Sequence, residues 1–202
     1  MITPYRGSGI VLDIGTGDGR FVSTSAKAYP DKFFIGIDAN AKPLEKLSTR
    51  ITRKPAKGGL ANAMFVLASV ESLPEEFCDI ADEIYISFPW GSLLGAVATG
   101  DPGVLASLSG VLNPKGKLQI IVGIEPNRDR TELERLGVPR LDLSYLKGKL
   151  AAAYRDNGLR MTGCRELEAT EWSRIETSWA RRLGGNNDRR VLQMTFVRVE
   201  AF

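Results

Sequence analysis

The strongest constraint on this chain is a glycine loop set directly behind an apolar run. Ile10 to Ile14 reads as a buried strand, and it passes without a break into Asp13-Ile14-Gly15-Thr16-Gly17-Asp18-Gly19, which opens a helical stretch from Phe21 to Tyr29. Glycines at a strand-to-helix junction let the backbone turn sharply and let a ligand approach it closely, because no Cβ stands in the way. A nucleotide-like ligand is expected on Gly15 and Gly17. The dinucleotide fingerprint needs G-x-G-x-x-G, whereas here the glycines fall as G-x-G-x-G and Arg20 takes the remaining position. Asp13 would also repel a pyrophosphate while suiting the cationic amino group of a methionine moiety. Both features favour S-adenosylmethionine over NAD. Asp38, at the end of a second strand from Phe33 to Ile37, can accept both hydroxyls of a ribose, a geometry common to the two cofactors.

Strand and helix signals alternate beyond that point, which is the βαβ rhythm of an α/β sheet. A second helix is expected over Pro43 to Thr52, with strands at Met64 to Ala68, Ile84 to Ser87 and Leu118 to Val122. Val104 to Leu112 reads as a helix closed by the Asn113-Pro114-Lys115-Gly116 turn. A long helix from Ser144 to Asn157 has Ser144 as its expected N-cap and Gly158 as its stop. Met161 to Leu167 and Val191 to Val199 add two strands, the last alternating like a sheet-edge hairpin partner. The expectation is a seven-stranded, mostly parallel sheet with helices on both faces, five of its strands parallel. Between the last two strands, Thr170 to Asn187 holds two tryptophans and paired arginines, too much for a minimal hairpin.

The 202 residues suit one domain, and no run approaches the roughly 18 to 20 apolar residues of a membrane span. Met1 to Gly9 lacks the build of a signal peptide, so a cytoplasmic location is expected. Cys78 and Cys164 have no metal-ligand spacing, so no metal is expected, and the absence of histidine removes the commonest general base. The net charge of +3 is unevenly spread. Lys42 to Lys57 carries six basic residues against Glu45, and Arg181 to Arg190 carries four against Asp188, which leaves the rest of the chain acidic. Two basic segments on an acidic body fit a nucleic-acid face, and they equally fit solvated helix ends and loops.

Two further segments carry chemistry. Ser69-Val70-Glu71 follows the third strand, where Ser69 or Glu71 could meet a cofactor's adenine ring, although an acid there also suits a helix start. Ser87-Phe88-Pro89-Trp90-Gly91-Ser92 follows the fourth strand, at the switch region where open α/β sheets bind ligands. Methyltransferases of exocyclic amines often carry Asp/Asn/Ser-Pro-Pro-aromatic at this place, and here Phe88 replaces the first proline. Trp90 can be core or a stacking platform, and Pro89 and Gly91 beside it favour the platform. Trp179 offers a second platform, so that two indoles could sandwich a flipped base, while Trp172 is assigned to packing.

Four runs, Arg53-Lys54-Pro55-Ala56-Lys57-Gly58-Gly59-Leu60, Glu71-Ser72-Leu73-Pro74, Phe88-Pro89-Trp90-Gly91 and Trp179-Ala180-Arg181-Arg182-Leu183, together resemble the 16S rRNA adenine-1408 N1-methyltransferases of kanamycin and apramycin resistance. The likeness covers Ile10 to about Val199. It implies a Rossmann-like class I S-adenosylmethionine methyltransferase fold, with rRNA-contacting insertions at about residues 42–60, 125–145 and 170–190. It implies that Asp13, Asp38 and Glu71 hold the cofactor, with Gly15, Phe88, Ser92 and Thr177 nearby, and that Trp90 and Trp179 clasp the adenine. Arg50, Arg53, Lys54 and Lys57 would lie along rRNA phosphates, and Arg181, Arg182 and Arg189 would secure the flipped nucleotide. The implied substrate is the assembled 30S subunit, met by a monomer. The family's N-terminal β-hairpin has no counterpart in the nine residues before Ile10, and Gly184-Gly185-Asn186-Asn187-Asp188 stands where some relatives are densely basic.

That chemistry suits a chain without histidine. Adenine N1 carries an in-plane lone pair and is essentially unprotonated at neutral pH, so no base has to remove a proton first. Catalysis then reduces to alignment, which can contribute about 7–11 kcal/mol as effective molarity. A tRNA guanine-N7 methyltransferase and a non-catalytic rRNA-binding factor are the alternatives. A cysteine-dependent cytosine methyltransferase fits least, because neither cysteine sits at a strand end.

Overall fold

A computed structural model describes residues 9–175, 177 and 189–199. Its centre is a parallel sheet of β1 (Ile10–Ile14), β2 (Phe33–Asp38), β3 (Ala63–Leu67), β4 (Ala81–Ser87) and β5 (Leu112–Ile124). With β6 (Leu159–Glu166) and β7 (Arg190–Arg198) the order is β3-β2-β1-β4-β5-β7-β6. The five parallel strands are those that the sequence rhythm predicts. The last strand corrects an expectation: β7 does not lie at the edge but pairs antiparallel with both β5 and β6, and β6 is the edge. Its buried positions, including Val191, Leu192, Met194 and Phe196, show why, since they complete the core from an interior place.

Strand residues alternate between the two faces, so the sheet feeds two cores. Leu12, Ile84, Ile86, Leu118 and Ile120 pack into the main core with α3 (Gly91–Thr99) and α4 (Pro102–Val111). Val11 and Phe34 face the other way, toward Val22 and Ala26 of α1 (Arg20–Ala28). The second helix is shorter than expected, α2 spanning Glu45–Ile51. Asp101 caps α4, its carboxylate accepting from Val104 N at 2.9 Å, and Pro102 fills the first turn, where a missing N–H costs nothing. The Asn113–Gly116 turn forms inside β5 as a bulge: Ala81 pairs with Leu112, the next pair is Glu83 with Lys117, and Lys115 has a φ of 69°. Further on come α5 (Arg130–Arg135) and α8 (Ala169–Trp172), neither of which was expected.

The long helix expected from Ser144 is also corrected. Asp142 is its N-cap, accepting from Tyr145 N at 2.9 Å, and the run passes through α6 (Leu143–Tyr145), a π turn (Leu146–Leu150) and α7 (Ala151–Asp156). Tyr145 and Tyr154 donate from their hydroxyls to Ala98 O and Val97 O, both at 3.0 Å. In an unbroken α-helix that spacing is about two and a half turns and would set the two rings on opposite sides. The wider π turn between them lets both reach the last carbonyls of α3, whose first residue follows Trp90.

On the opposite face, buried Asn62 donates from its amide to Ala26 O at 2.9 Å, Tyr29 O at 3.2 Å and Lys32 O at 2.9 Å, fixing the turn from α1 into β2. Replacement by alanine leaves these carbonyls short of a donor. Asn62→Ala is expected to cost about 2–3 kcal/mol, read as a lower urea midpoint with an unchanged slope.

Candidate active site

β1 has β2 on one side and β4 on the other, and the chain leaves β1 and β4 toward opposite faces, into α1 and α3. Their carboxyl ends therefore diverge and open a crevice, the usual ligand position in such sheets. A cavity of about 570 Å³ lies there. The loop beneath it turns by left-handed glycines at alternate positions, Gly15, Gly17 and Gly19, with φ of 72°, 58° and 71°. A side chain at any of them would be strained. Amides of Gly15 and Thr16 donate to Ile37 O at 2.8 and 3.1 Å, which fastens the loop to β2.

Asp38 completes that fastening. Its Oδ2 accepts from Gly17 N at 2.8 Å and its Oδ1 from Asn40 N at 2.9 Å. Each carboxylate oxygen keeps a second lone pair, so the pair can still accept two hydroxyls side by side. Asp13 lies deeper, only 4% exposed, and Oδ2 accepts from Thr16 Oγ1 at 2.5 Å. Burial pushes its carboxyl up to about 7, opposed by the Thr16 hydrogen bond and reinforced by the negative charges of Asp38 and Asp18. Glu71 is exposed on a short turn after β3, with Ser69 Oγ 3.1 Å from Ser72 Oγ.

The other wall is the Ser87–Ser92 segment. Phe88 adopts a left-handed φ of 53°, a strain of about 1–3 kcal/mol for a residue with a side chain. Its buried ring packs edge-on against Trp172, and its amide donates to Ile121 O at 2.7 Å. Pro89 is buried behind it, and Trp90 emerges 42% exposed at the rim. Trp172 is 3% exposed, in keeping with its assignment to packing.

All nine residues singled out as cofactor contacts, Asp13, Gly15, Gly17, Asp38, Ser69, Glu71, Phe88, Ser92 and Thr177, line this one cavity, and Trp90 lines it with them. Among the lining residues that sequence reasoning did not single out are Asn40, Leu93, Thr16 and Asp18; Thr16 and Asp18, inside the glycine loop, carried a local signal. The described lining holds four carboxylates, those of Asp13, Asp18, Asp38 and Glu71, and no lysine or arginine. Such a wall repels phosphates and suits a ligand of net positive charge. S-Adenosylmethionine, with an ammonium, a sulfonium and two ribose hydroxyls, fits that donor and acceptor set.

The basic candidates divide. Arg50, Arg53, Lys54 and Lys57 are exposed on the end of α2 and the turn after it. Arg189 departs from its expected place on an RNA face. Its side chain is 5% exposed, Nη1 donates to Gly123 O at 3.0 Å and to Asp129 Oδ2 at 2.9 Å, and Nη2 lies 3.9 Å from Glu125. Two carboxylates and a carbonyl give the guanidinium an inward, charge-matched seat. Trp179, Arg181 and Arg182 lie outside the described residues.

Comparison with known proteins decides the family. The family described as NpmA: 16S rRNA (adenine(1408)-N(1))-methyltransferase matches residues 4–198. The chain belongs to this family. It is thus a methyltransferase. A 16S rRNA (adenine(1408)-N(1))-methyltransferase of Streptoalloteichus hindustanus is 34% identical over 181 residues, 89% of this chain and 82% of that protein. One from Escherichia coli is 34% identical over 173 residues, covering 85% of this chain and 79% of the relative. Among solved structures, the aminoglycoside resistance methyltransferase NpmB1 superposes with a TM-score of 0.85 at 45% identity, covering 96% of this chain and 88% of that one. A variant of the enzyme from Catenulisporales acidiphilia, solved with cosubstrate SAM, gives 0.87 at 32%, covering 96% and 87%. A tRNA (guanine-N(7)-)-methyltransferase of Macrococcus caseolyticus is 32% identical over only 84 residues, 40% of this chain and 38% of that protein.

The raised carboxyl of Asp13 makes a stability prediction for the ligand-free methyltransferase. Between its ordinary value of 3.8 and about 7, the folded chain keeps a proton that the unfolded chain has released, so this group's contribution to stability declines as pH rises through that window. Asp13→Asn, which stays neutral, is expected to melt above the parent at pH 5 and by a wider margin at pH 8. Equal melting shifts at both pH values would show that Asp13 is already ionised in the fold.

Proposed function

We propose that this methyltransferase uses S-adenosylmethionine to methylate N1 of adenine 1408 in 16S rRNA of the assembled 30S subunit, protecting cytoplasmic ribosomes from aminoglycosides such as kanamycin and apramycin. The observation that carries the reading is the cavity at the switch point, whose described lining holds acids and no basic residue, with an exposed indole at its rim. When bound, the cofactor supplies a methyl group on a positively charged sulfur. In this reading Asp13 pairs with the cofactor's ammonium, Asp38 accepts from the ribose hydroxyls, and Ser69 and Glu71 stand beside its adenine. Gly15 and Gly17 bring the backbone close, with Phe88, Ser92 and Thr177 closing the remaining sides.

Trp90 and Trp179 clasp the extruded target base from either face. Adenine N1 needs no proton removed, so no residue serves as general base, and the chain's work is alignment and exclusion of water. The indole faces also favour the cationic ring that forms. Arg50, Arg53, Lys54 and Lys57, with Arg181 and Arg182, meet rRNA phosphates. Such contacts position the enzyme, a monomer in this reading, without reading sequence.

Reverse transcription across 16S rRNA from treated 30S subunits tests the whole proposal, because an N1 methyl blocks Watson–Crick pairing. An arrest one nucleotide before adenine 1408 is expected, with no methyl transfer to tRNA; transfer to tRNA alone would overturn it. Trp90→Ala is expected to lower turnover about ten- to a hundredfold, the worth of about 1–3 kcal/mol of base stacking.

Cofactor affinity should also depend on pH. Only ionised Asp13 pairs with an ammonium, so below about 7 the affinity should rise roughly tenfold per pH unit and then level off. Calorimetry is expected to show proton release at pH 6, abolished in Asp13→Asn. That variant should bind on the order of 30-fold more weakly at pH 8, since removing one partner of a buried charge pair costs about 2–5 kcal/mol.

A further inference from the structure

Phe88 belongs to a small apolar cluster of its own, apart from the two cores that build the sheet. Its companions are Ile121 of β5, Leu167 after β6, Trp172 of α8 and Val191 of β7, with Ile175 packed on the outside. The ring centroids of Phe88 and Trp172 are 6.5 Å apart at 70°, an edge contact. Space for the Phe88 ring is reserved from the other side by Gly123, where a Cβ would come within 2.9 Å of Phe88 Cδ1.

Trp172 is itself firmly seated. Glu168 and Glu171 form a reciprocal capping box at the start of α8, and Arg165 Nη1 of β6 donates to Glu171 Oε1 at 2.8 Å. Leu167 N donates to Val191 O at 2.7 Å, which pins the same stretch to β7. One side of the contact is therefore a fixed anvil, and the other is a strained residue two positions before Trp90. A left-handed phenylalanine persists only where its surroundings over-determine it.

We propose that Trp172 is a positioning residue for methyl transfer: its edge holds Phe88 in the left-handed turn that aims Trp90 at the mouth of the cavity. The link also ties the Ser87–Ser92 segment to α8, so that the two move as one body. The proposal rests on the reading of Trp90 as a base platform, and it adds what orients that platform. Loss of the Trp172 edge frees the turn to relax, and Trp90 then samples orientations in which the target nitrogen and the methyl group are out of line. The cofactor contacts assigned to Asp13, Asp38, Ser69 and Glu71, on the far wall, do not change.

Kinetics on 30S subunits test this with Trp172→Ala and Trp172→Phe, together with 19F spectra of 5-fluorotryptophan-labelled protein in which Trp90→Phe assigns the Trp90 resonance. Trp172→Ala is expected to lower kcat at least tenfold, to leave KM for subunits and cofactor Kd within threefold, and to shift or broaden the Trp90 resonance. Trp172→Phe, which keeps a ring edge at the contact, should restore kcat to within threefold and return the resonance. Where Trp172→Ala fails to fold, Gly123→Ala serves, because its methyl group presses on Phe88 from the opposite side and should give the same loss of kcat. An unmoved Trp90 resonance, or a loss confined to KM, overturns the proposal. Full activity of Trp90→Ala would instead overturn the base-platform reading, while the resonance would still report whether Trp172 orients Trp90.

Discussion

One carboxylate joins the two strands on which the cavity is built. By accepting amides from Gly17 and Asn40, Asp38 fixes the loop after β1 against the loop after β2 and, with the Gly15 and Thr16 amides on Ile37 O, holds the left-handed glycines on their course. Everything else in the site is placed relative to that floor. Asp13 is buried because the loop folds over it, and its carboxyl is raised because burial withdraws water from a charge that no basic group among the described lining residues offsets. The cavity is thus prepared for a cation by the same hydrogen bonds that shape it.

Charge is separated by position. The charged residues of the described lining are acids alone, whereas Arg50, Arg53, Lys54 and Lys57 stand exposed on the end of α2 and the turn after it. A lysine moved into the cavity would neutralise Asp13 and remove the attraction for a cationic cofactor, and an acid moved onto the exposed turn would oppose a polyanion. Both arrangements can coexist because dissolved salt screens surface charges more than about 8–10 Å apart, while those inside the cavity are screened much less.

Features written in a few consecutive residues were legible in the sequence. The glycine loop, the acids at the ends of β1 and β2 and the parallel strands all follow from local pattern, and every cofactor candidate reached the cavity. What misled was non-local. The position of β7 depends on antiparallel pairing with β5 and β6, which no alternation within β7 specifies. Arg189 looked like one more cation in a basic run, but its partners Asp129 and Gly123 lie 60 and 66 residues away in sequence. Ser144 and Asp142 are both good caps, and the choice fell on the residue whose carboxylate reaches Tyr145 N. The left-handed turn at Phe88 was hidden for another reason: residue type alone predicts the opposite.

A glycine at position 88 would remove that backbone strain, so the presence of phenylalanine needs a physical reason. Full burial of a phenylalanine side chain contributes about 1.5–3 kcal/mol, and the left-handed backbone costs about 1–3 kcal/mol. The two nearly cancel, which leaves Phe88 close to neutral for stability while its ring still determines where the following residues go. Glycine would keep the turn accessible but not enforced, because nothing would remain for Trp172 and Gly123 to hold between them. A stiff turn at no net cost is what an aligning wall requires, since alignment is lost through freedom of motion long before it is lost through unfolding.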